Sequence, residues 1–102
     1  MKALQVTYTT SEAFSAQNQS NIKRVMDDLQ NAHHRGIHYH ACMLANNKTF
    51  IHTAFFASDE DQKTLNEMPS FKSFQQQLKA SEPEVAPRQE VLTFIGSSSI
   101  IF

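Results

Sequence analysis

The stretch that decides the fold runs from Ile37 to Phe56 and reads IHYHACMLANNKTFIHTAFF. Apolar and polar residues alternate on both sides of Asn46 and Asn47, a pattern that predicts two antiparallel strands joined by a tight turn. Asparagine tolerates the positive φ that such a turn requires. The two strands contain three of the five histidines and the only cysteine of the chain.

The length of the turn decides which histidines share a face of this hairpin. With a two-residue loop, Ala41 pairs with His52, so His52 lies on the face opposite His38 and His40. With a three-residue loop, all three histidines lie on one face, because a shift of one residue turns every side chain over.

One strand and one helix are predicted before the hairpin. Residues 3–9 alternate as a half-buried strand. Between about 15 and 35, apolar residues spaced i, i+3, i+4 and i+7 predict an amphipathic helix, and they are Ile22, Val25, Met26 and Leu29. The basic residues 33–35 are expected in its last turn, where positive charge complements the helix dipole, and Gly36 is expected to close it in the left-handed conformation.

Two shorter helices and a strand are predicted after the hairpin. Ser58, followed by three acidic residues, is expected to cap a helix that ends at Glu67. Pro69 predicts a bend before a second helix from about 70 to 79. The proline-containing segment 81–88 is expected to be a loop. The last strand is expected over 90–95.

The composition is typical of a soluble globular protein and excludes several classes of function. The 102 residues predict a single domain spanning the chain, with 40% apolar and 19% charged residues. A net charge of −1 gives no electrostatic reason to bind nucleic acid. One cysteine excludes an intrachain disulfide. No signal peptide or membrane-spanning run is recognisable, so a cytoplasmic location without membrane contact is expected.

The order of elements predicts an α+β fold of the ferredoxin-like βαββαβ type. Its four-stranded antiparallel sheet would carry both helical segments on one face. The other face would expose apolar side chains, so a homodimer is expected in which two open sheet faces meet and enclose a barrel-like space. The apolar C-terminal residues Ile100, Ile101 and Phe102 are expected to dock on this subunit or on a partner.

Three short stretches resemble the antibiotic-biosynthesis-monooxygenase-like superfamily of dimeric α/β-barrel proteins, especially its uncharacterised bacterial members. They are TFIH at 49–52, MPSFKSF at 68–74 and GSSS at 96–99. The resemblance implies the same barrel fold. The superfamily includes cofactor-independent oxygenases of aromatic polyketides, so no cofactor is expected. Haem-degrading members use an asparagine, a tryptophan and a histidine, whereas this sequence contains no tryptophan.

His52 is the candidate catalytic residue. An imidazole among phenylalanines can transfer protons near neutral pH, or it can be a core histidine hydrogen-bonded to a backbone carbonyl, Tyr8 or Tyr39. The residues expected to contact a ligand are His38, His40, Tyr8, Tyr39 and Phe55. The expected ligand is a small apolar or aromatic molecule in the barrel cavity. The alternative function is a non-catalytic ligand-sensing or dimerisation module.

His38, His40 and Cys42 alternate along one strand, which leaves a metal site and a thiolate nucleophile as lesser alternatives. Side chains two apart on a strand lie about 7 Å from each other, too far to share a metal without bending of the strand. No metal site is therefore expected. The simpler interpretation is two histidines on a semi-polar lining and a small buried cysteine.

Overall fold

A computed structural model describes residues 1–102 and confirms the predicted ferredoxin-like arrangement. The elements are β1 (Lys2–Thr9), α1 (Glu12–Asn31), β2 (Ile37–Met43), β3 (Thr49–Phe56), α2 (Asp59–Glu67), α3 (Pro69–Ala80) and β4 (Val85–Leu92). The strands form one antiparallel sheet in the order β2-β3-β1-β4. The helices lie on one face of this sheet and leave the other face open.

The hairpin has the register expected from a two-residue loop, although its turn is longer. Ala41 pairs with His52. The Leu44 N–H donates to the Thr49 carbonyl at 2.8 Å, so four residues, 45–48, form the connection. The Asn46 side chain accepts from the backbone N–H groups of Lys48 and Thr49 at 3.0 and 2.9 Å, which stabilises the longer turn. The turn is longer than expected by one residue on each side, so the pairing of Ala41 with His52 is unchanged.

The predicted ends of α1 are wrong. The helix begins at Glu12, three residues earlier than expected, and Ser11 caps it by accepting from the Phe14 N–H. The helix ends at Asn31, so residues 33–35 follow it and no basic residue lies in its last turn. His33 takes the left-handed conformation, with φ of 50°, and Gly36 does not.

Gly36 is required for space and not for its backbone conformation. A Cβ at this position would collide with the carboxyl group of Asp61. That carboxylate accepts from the Ser58 hydroxyl at 2.8 Å and lies 3.8 Å from Nδ1 of His34. The glycine therefore lets the loop before β2 approach the first turn of α2.

The helices after the hairpin confirm the prediction closely. The Ser58 side chain accepts from the Asp61 N–H at the start of α2. Met68 is extended, with φ of −64° and ψ of 129°, as expected for a residue before proline. Pro69 then opens α3, a position where its missing N–H costs no helical hydrogen bond.

The prediction of the last strand is wrong by several residues. β4 begins at Val85 and ends at Leu92, so much of the expected loop is strand and residues 93–95 are not. Pro87 is tolerated because β4 is an edge strand and its pairing with β1 is irregular between Thr7 and Thr9. The prolines at 83 and 87 therefore do not make the whole segment a loop.

The core fills the space between the sheet and the helices. Its buried apolar residues are Leu4, Tyr8, Ile22, Val25, Phe50, Ala54, Phe56, Leu65, Phe71, Phe74 and Leu78. In β3 every second residue is buried, from Phe50 to Phe56, as the alternation predicts. None of the three helices combines the length and apolar character needed to span a bilayer.

Candidate functional site

A cavity of about 450 Å³ lies between the sheet and the helices α2 and α3. Its walls are formed by Leu4, Val6, Tyr8, Tyr39, His52, Ala54, Phe56, Gln62, Leu65, Asn66, Phe71, Phe74, Gln75, Leu78, Lys79, Pro83, Ala86, Pro87 and Gln89. Most of these side chains are apolar, and the volume is in the range of small-molecule sites in proteins. The cavity is therefore formed within one chain, on the helix side of the sheet, and not between two sheets.

His52 forms a polar group in this apolar cavity together with two tyrosines. The Tyr8 hydroxyl lies 2.8 Å from Nε2 of His52, and the Tyr39 hydroxyl lies 2.6 Å from Nδ1. Tyr8 stands on β1, His52 on β3 and Tyr39 on β2. The register of these neighbouring strands, in which Val6 and Ala41 both pair with His52, brings the three side chains together. Both imidazole nitrogens are thus hydrogen-bonded without a backbone carbonyl.

Burial keeps all three groups neutral. It lowers the pKa of His52 from 6.5 to about 4, because an imidazolium ion would lose its hydration there. Burial also raises the pKa of Tyr8 well above its usual range, against a smaller lowering by the hydrogen bond from Asn18. The pKa of Tyr39 is likewise raised, mainly by burial. At neutral pH the cavity therefore presents uncharged hydrogen-bonding groups here and not an ion pair.

Aromatic rings hold the imidazole in place. Phe74 from α3 stacks on His52 with ring centroids 5.4 Å apart and planes inclined by 27°. Phe71 contacts both Phe74 and Tyr39, at 5.8 and 6.2 Å between centroids. These contacts explain why the MPSFKSF stretch spaces its phenylalanines by three, since both then point from α3 to the sheet.

The exposed wall residues show where the cavity opens. The exposed wall residues are Asn66 on α2, Gln75 and Lys79 on α3, and Ala86, Pro87 and Gln89 on β4, so these three elements border the opening. Lys79 is the only charged residue in the wall, and it forms no ion pair. The opening therefore has positive character, whereas the interior is uncharged.

Asn18 on α1 extends the hydrogen-bonded group, and the sequence reading missed it. Its Nδ2 donates to the Tyr8 hydroxyl at 2.8 Å, and its side chain is completely buried. Its Oδ1 has no hydrogen-bond partner. The signal was available: four residues before Ile22, the apolar stripe of α1 reaches Asn18, which places it on the buried face.

The structure separates the sequence-predicted site residues into two groups. Tyr8, Tyr39 and His52 line the cavity. His38, His40 and Phe55 lie on the open face of the sheet, which follows from the confirmed register. The rings of His38 and His40 meet edge to face at 5.9 Å, and those of His38 and Phe55 lie 6.0 Å apart.

The structure also shows where the residues of the thiolate and metal alternatives lie. Cys42 is exposed, so the expectation of a buried cysteine is wrong. Cys42 stands on the open face of the edge strand β2, where no helix covers it. No group of three or more His, Cys, Asp or Glu side chains forms a cluster that could hold a metal ion.

Comparison with solved structures identifies the fold. A proposed antibiotic biosynthesis monooxygenase from Deinococcus radiodurans superposes with a TM-score of 0.75 at 13% identity, over 98% of both chains. One from Nitrosomonas europaea gives a TM-score of 0.79 at 8% identity, over 94% of this chain and 100% of the other. SnoaB from Streptomyces nogalater, a cofactor-independent oxygenase, gives 0.70 at 13% identity over 95% of both chains.

These similarities show that the single chain has the same fold as these proteins. No family model matches the chain, and no curated protein matches it by sequence. The identities are too low to carry over a reaction, so any function has to be argued from the cavity itself.

Proposed function

We propose that the cavity binds a small apolar or aromatic molecule carrying one polar oxygen, and that the protein oxygenates this molecule with dioxygen and without a cofactor. The observation that carries the proposal is the buried imidazole of His52, held between two tyrosine hydroxyls in an otherwise apolar cavity. The fold shared with a cofactor-independent oxygenase supports it.

The expected ligand follows from the wall of the cavity. Apolar and aromatic side chains favour a hydrophobic body, since transfer of apolar surface out of water drives its binding. The hydroxyl of Tyr39, which His52 holds in place, would then pair with the oxygen of the ligand, which would otherwise lose its hydrogen bonds to water.

The chemistry suited to this site is the oxidation of a ring methylene group that is conjugated through aromatic carbons to a carbonyl of the same ring. The methylene loses a proton, and the resulting enolate transfers electrons to dioxygen. One oxygen atom becomes a second carbonyl on the ring, and the other leaves as water with the two methylene hydrogens. The substrate supplies all the electrons. A hydrogen bond from the neutral Tyr39 hydroxyl to the enolate oxygen would stabilise the charge that develops there.

Oxygen uptake with anthrone, a three-ring ketone with such a methylene group, tests the catalytic part. We expect uptake above the spontaneous rate, and a loss of about 100-fold when Tyr39→Phe removes a hydroxyl from the enolate oxygen. His38→Gln is the matched control, because His38 lies on the other face of the sheet. Equal rates for the protein and a buffer blank would contradict the proposal.

The alternative of a non-catalytic ligand-binding module is favoured by one observation. The pKa of His52 is lowered to about 4 by burial, so its imidazole is a weak base at neutral pH. This alternative predicts binding of aromatic ketones without turnover. Calorimetric titration with anthrone therefore distinguishes the two functions, since heat of binding without oxygen uptake supports the module.

We further propose that the protein forms a homodimer through the open face of the sheet. That face carries a row of rings, in which Phe55 contacts His38 and Phe94, the latter at 6.0 Å between centroids. After β4, Phe94 is 40% exposed although it contacts Phe55 on this face. A second copy covering the face would bury more of this apolar surface.

Light scattering after size exclusion tests the dimer. We expect twice the mass of one chain, and a shift towards the monomer when Phe55→Lys places a charge in the row of rings. Lys63→Glu, a change of charge on the exposed surface of α2, is the control and should leave the mass unchanged. A monomer at micromolar concentration would contradict the proposal.

A further inference from the structure

Four side chains form a continuous hydrogen-bonded chain from α1 to the cavity. It runs from Asn18 through Tyr8 and His52 to Tyr39, with successive distances of 2.8, 2.8 and 2.6 Å. The last hydroxyl, that of Tyr39, has no further protein partner, and Tyr39 lines the cavity. A ligand in the cavity would therefore contact the Tyr39 hydroxyl, the last group in this hydrogen-bonded series.

The hydrogen bonds in this series can all run in one of two directions, because a neutral imidazole carries a single N–H. If the Tyr8 hydroxyl donates to Nε2, then Nδ1 carries the hydrogen and donates to the oxygen of Tyr39. The hydrogen of Tyr39 is then free for a ligand. In the opposite direction Tyr39 donates to Nδ1 and can only accept from a ligand. The lowered pKa of His52 supports the neutral form on which both directions depend.

The amide of Asn18 determines the direction. Only one end of this completely buried amide reaches Tyr8, and the other end has no partner. With the NH₂ group towards Tyr8, one N–H and the carbonyl oxygen lack a partner, whereas the reverse orientation would leave both N–H groups unpaired. Orphaned buried N–H groups are rarer in proteins than under-satisfied carbonyl oxygens. The NH₂ group therefore donates to Tyr8, which leaves the hydrogen of Tyr8 for His52.

We propose that Asn18 is a positioning residue that orients this hydrogen-bonded chain, so that the Tyr39 hydroxyl acts as a donor and selects ligands with an acceptor oxygen. The ligand class is an aromatic ketone or a phenolate, and not a compound whose only polar group is an N–H. This inference rests on the proposed binding function and refines it.

The direction can be measured in the free protein by ¹⁵N NMR of labelled histidine. The shifts of the two ring nitrogens show which one carries the hydrogen. We expect His52 to be protonated at Nδ1, the less common form of histidine in water. Protonation at Nε2 would overturn the proposal. This measurement needs no ligand and no variant.

Two variants on the same helix test the role of Asn18. Asn18→Leu removes the donor to Tyr8, and we expect the hydrogen of His52 to move at least partly to Nε2. Asn21→Leu is the matched control, because Asn21 is equally buried but bonds to Gln77 and Gln17. Unchanged protonation in a folded Asn18→Leu protein would contradict the assigned role.

A pair of probes of similar size tests ligand selection. 1-Indanone offers only an acceptor oxygen, and indole offers only an N–H donor. We expect 1-indanone to bind about tenfold more tightly, the effect of about one good hydrogen bond. Tighter binding of indole would overturn the inferred direction while leaving the cavity as a binding site. Binding of neither probe would contradict the proposed function itself.

Discussion

The hydroxyl of Tyr39 lies 2.6 Å from Nδ1 of His52, although the two residues stand on different strands 13 positions apart. The hairpin register creates this contact, because it pairs Ala41 with His52 and turns Tyr39 to the same face. A change of one residue in the register would have separated them. The candidate site therefore depends directly on the turn at 45–48.

Stability should depend on pH through His52. Its pKa is about 4 in the folded chain and 6.5 in the unfolded chain, so between these values only the unfolded chain binds the proton. The free energy of unfolding should therefore fall as the pH is lowered through this window, by about 3 kcal/mol in total. Urea unfolding at pH 7 and pH 5 measures the effect.

His52→Gln should lose this part of the pH dependence, while His38→Gln should keep it. His38 serves as control because it is exposed on the other face of the sheet. The same slope in wild type and His52→Gln would show that the imidazole is not buried as described.

The two tyrosines should differ in their contribution to stability. Tyr8 is 1% exposed and bonds to both Asn18 and His52, whereas Tyr39 bonds only to His52. Tyr39→Phe should destabilise the fold by about 1 to 2 kcal/mol, since it leaves one imidazole nitrogen unpaired. Tyr8→Phe should cost more. Thermal unfolding of both variants checks the order, and a larger loss for Tyr39→Phe would contradict it.

Gly36→Ala should destabilise the protein by about 1 kcal/mol, because the new methyl group displaces the Asp61 carboxylate from Ser58. Gly96→Ala is the control, since no atom lies within 4 Å of a Cβ built there. Adding Asp61→Ala should make the Gly36→Ala change nearly neutral in urea unfolding. A full penalty in that background would point to the backbone and not to this contact.

Lys79 should favour ligands with an acidic group at the opening of the cavity. We expect 6-hydroxy-2-naphthoate to bind more tightly than 2-naphthol by a factor of about two to five, the usual size for an exposed charge pair. Lys79→Gln should remove this preference, whereas Lys72→Gln, on the exposed side of the same helix, should keep it. Calorimetry at low salt measures both ratios. An unchanged ratio for Lys79→Gln would contradict the assignment.

The sequence predicted the parts of the fold that follow from local periodicity. The alternation in β3 and the capping Ser58 predicted their elements correctly, since neither depends on distant contacts. Pro87 misled the reading of β4 because tolerance of proline depends on the strand being at the sheet edge, which is a tertiary property. His33, and not Gly36, takes the left-handed conformation after α1. Gly36 is needed instead because Asp61 approaches it closely, and this contact between distant segments is also a tertiary property.

The candidate site was only partly predictable. The sequence indicates His52, Tyr8 and Tyr39 as candidates, because an imidazole among phenylalanines can transfer protons or bond to a buried tyrosine hydroxyl. The location of the cavity was not predictable, since it depends on how α3 and β4 diverge. The spacing from Ile22 places Asn18 on the buried face of α1, but its role depends on contact with Tyr8, which only the tertiary structure shows.

The most direct test of the central claim is a titration of ¹⁵N-histidine-labelled protein with 2-naphthol, followed by NMR. The claim is that the cavity binds an aromatic molecule with its oxygen beside His52. It predicts saturable shifts of the His52 ring nitrogens, while His38 and His40 on the open face stay unchanged. Saturable shifts of His38 and His40 with none at His52, or no shifts at all up to the solubility limit, would contradict it.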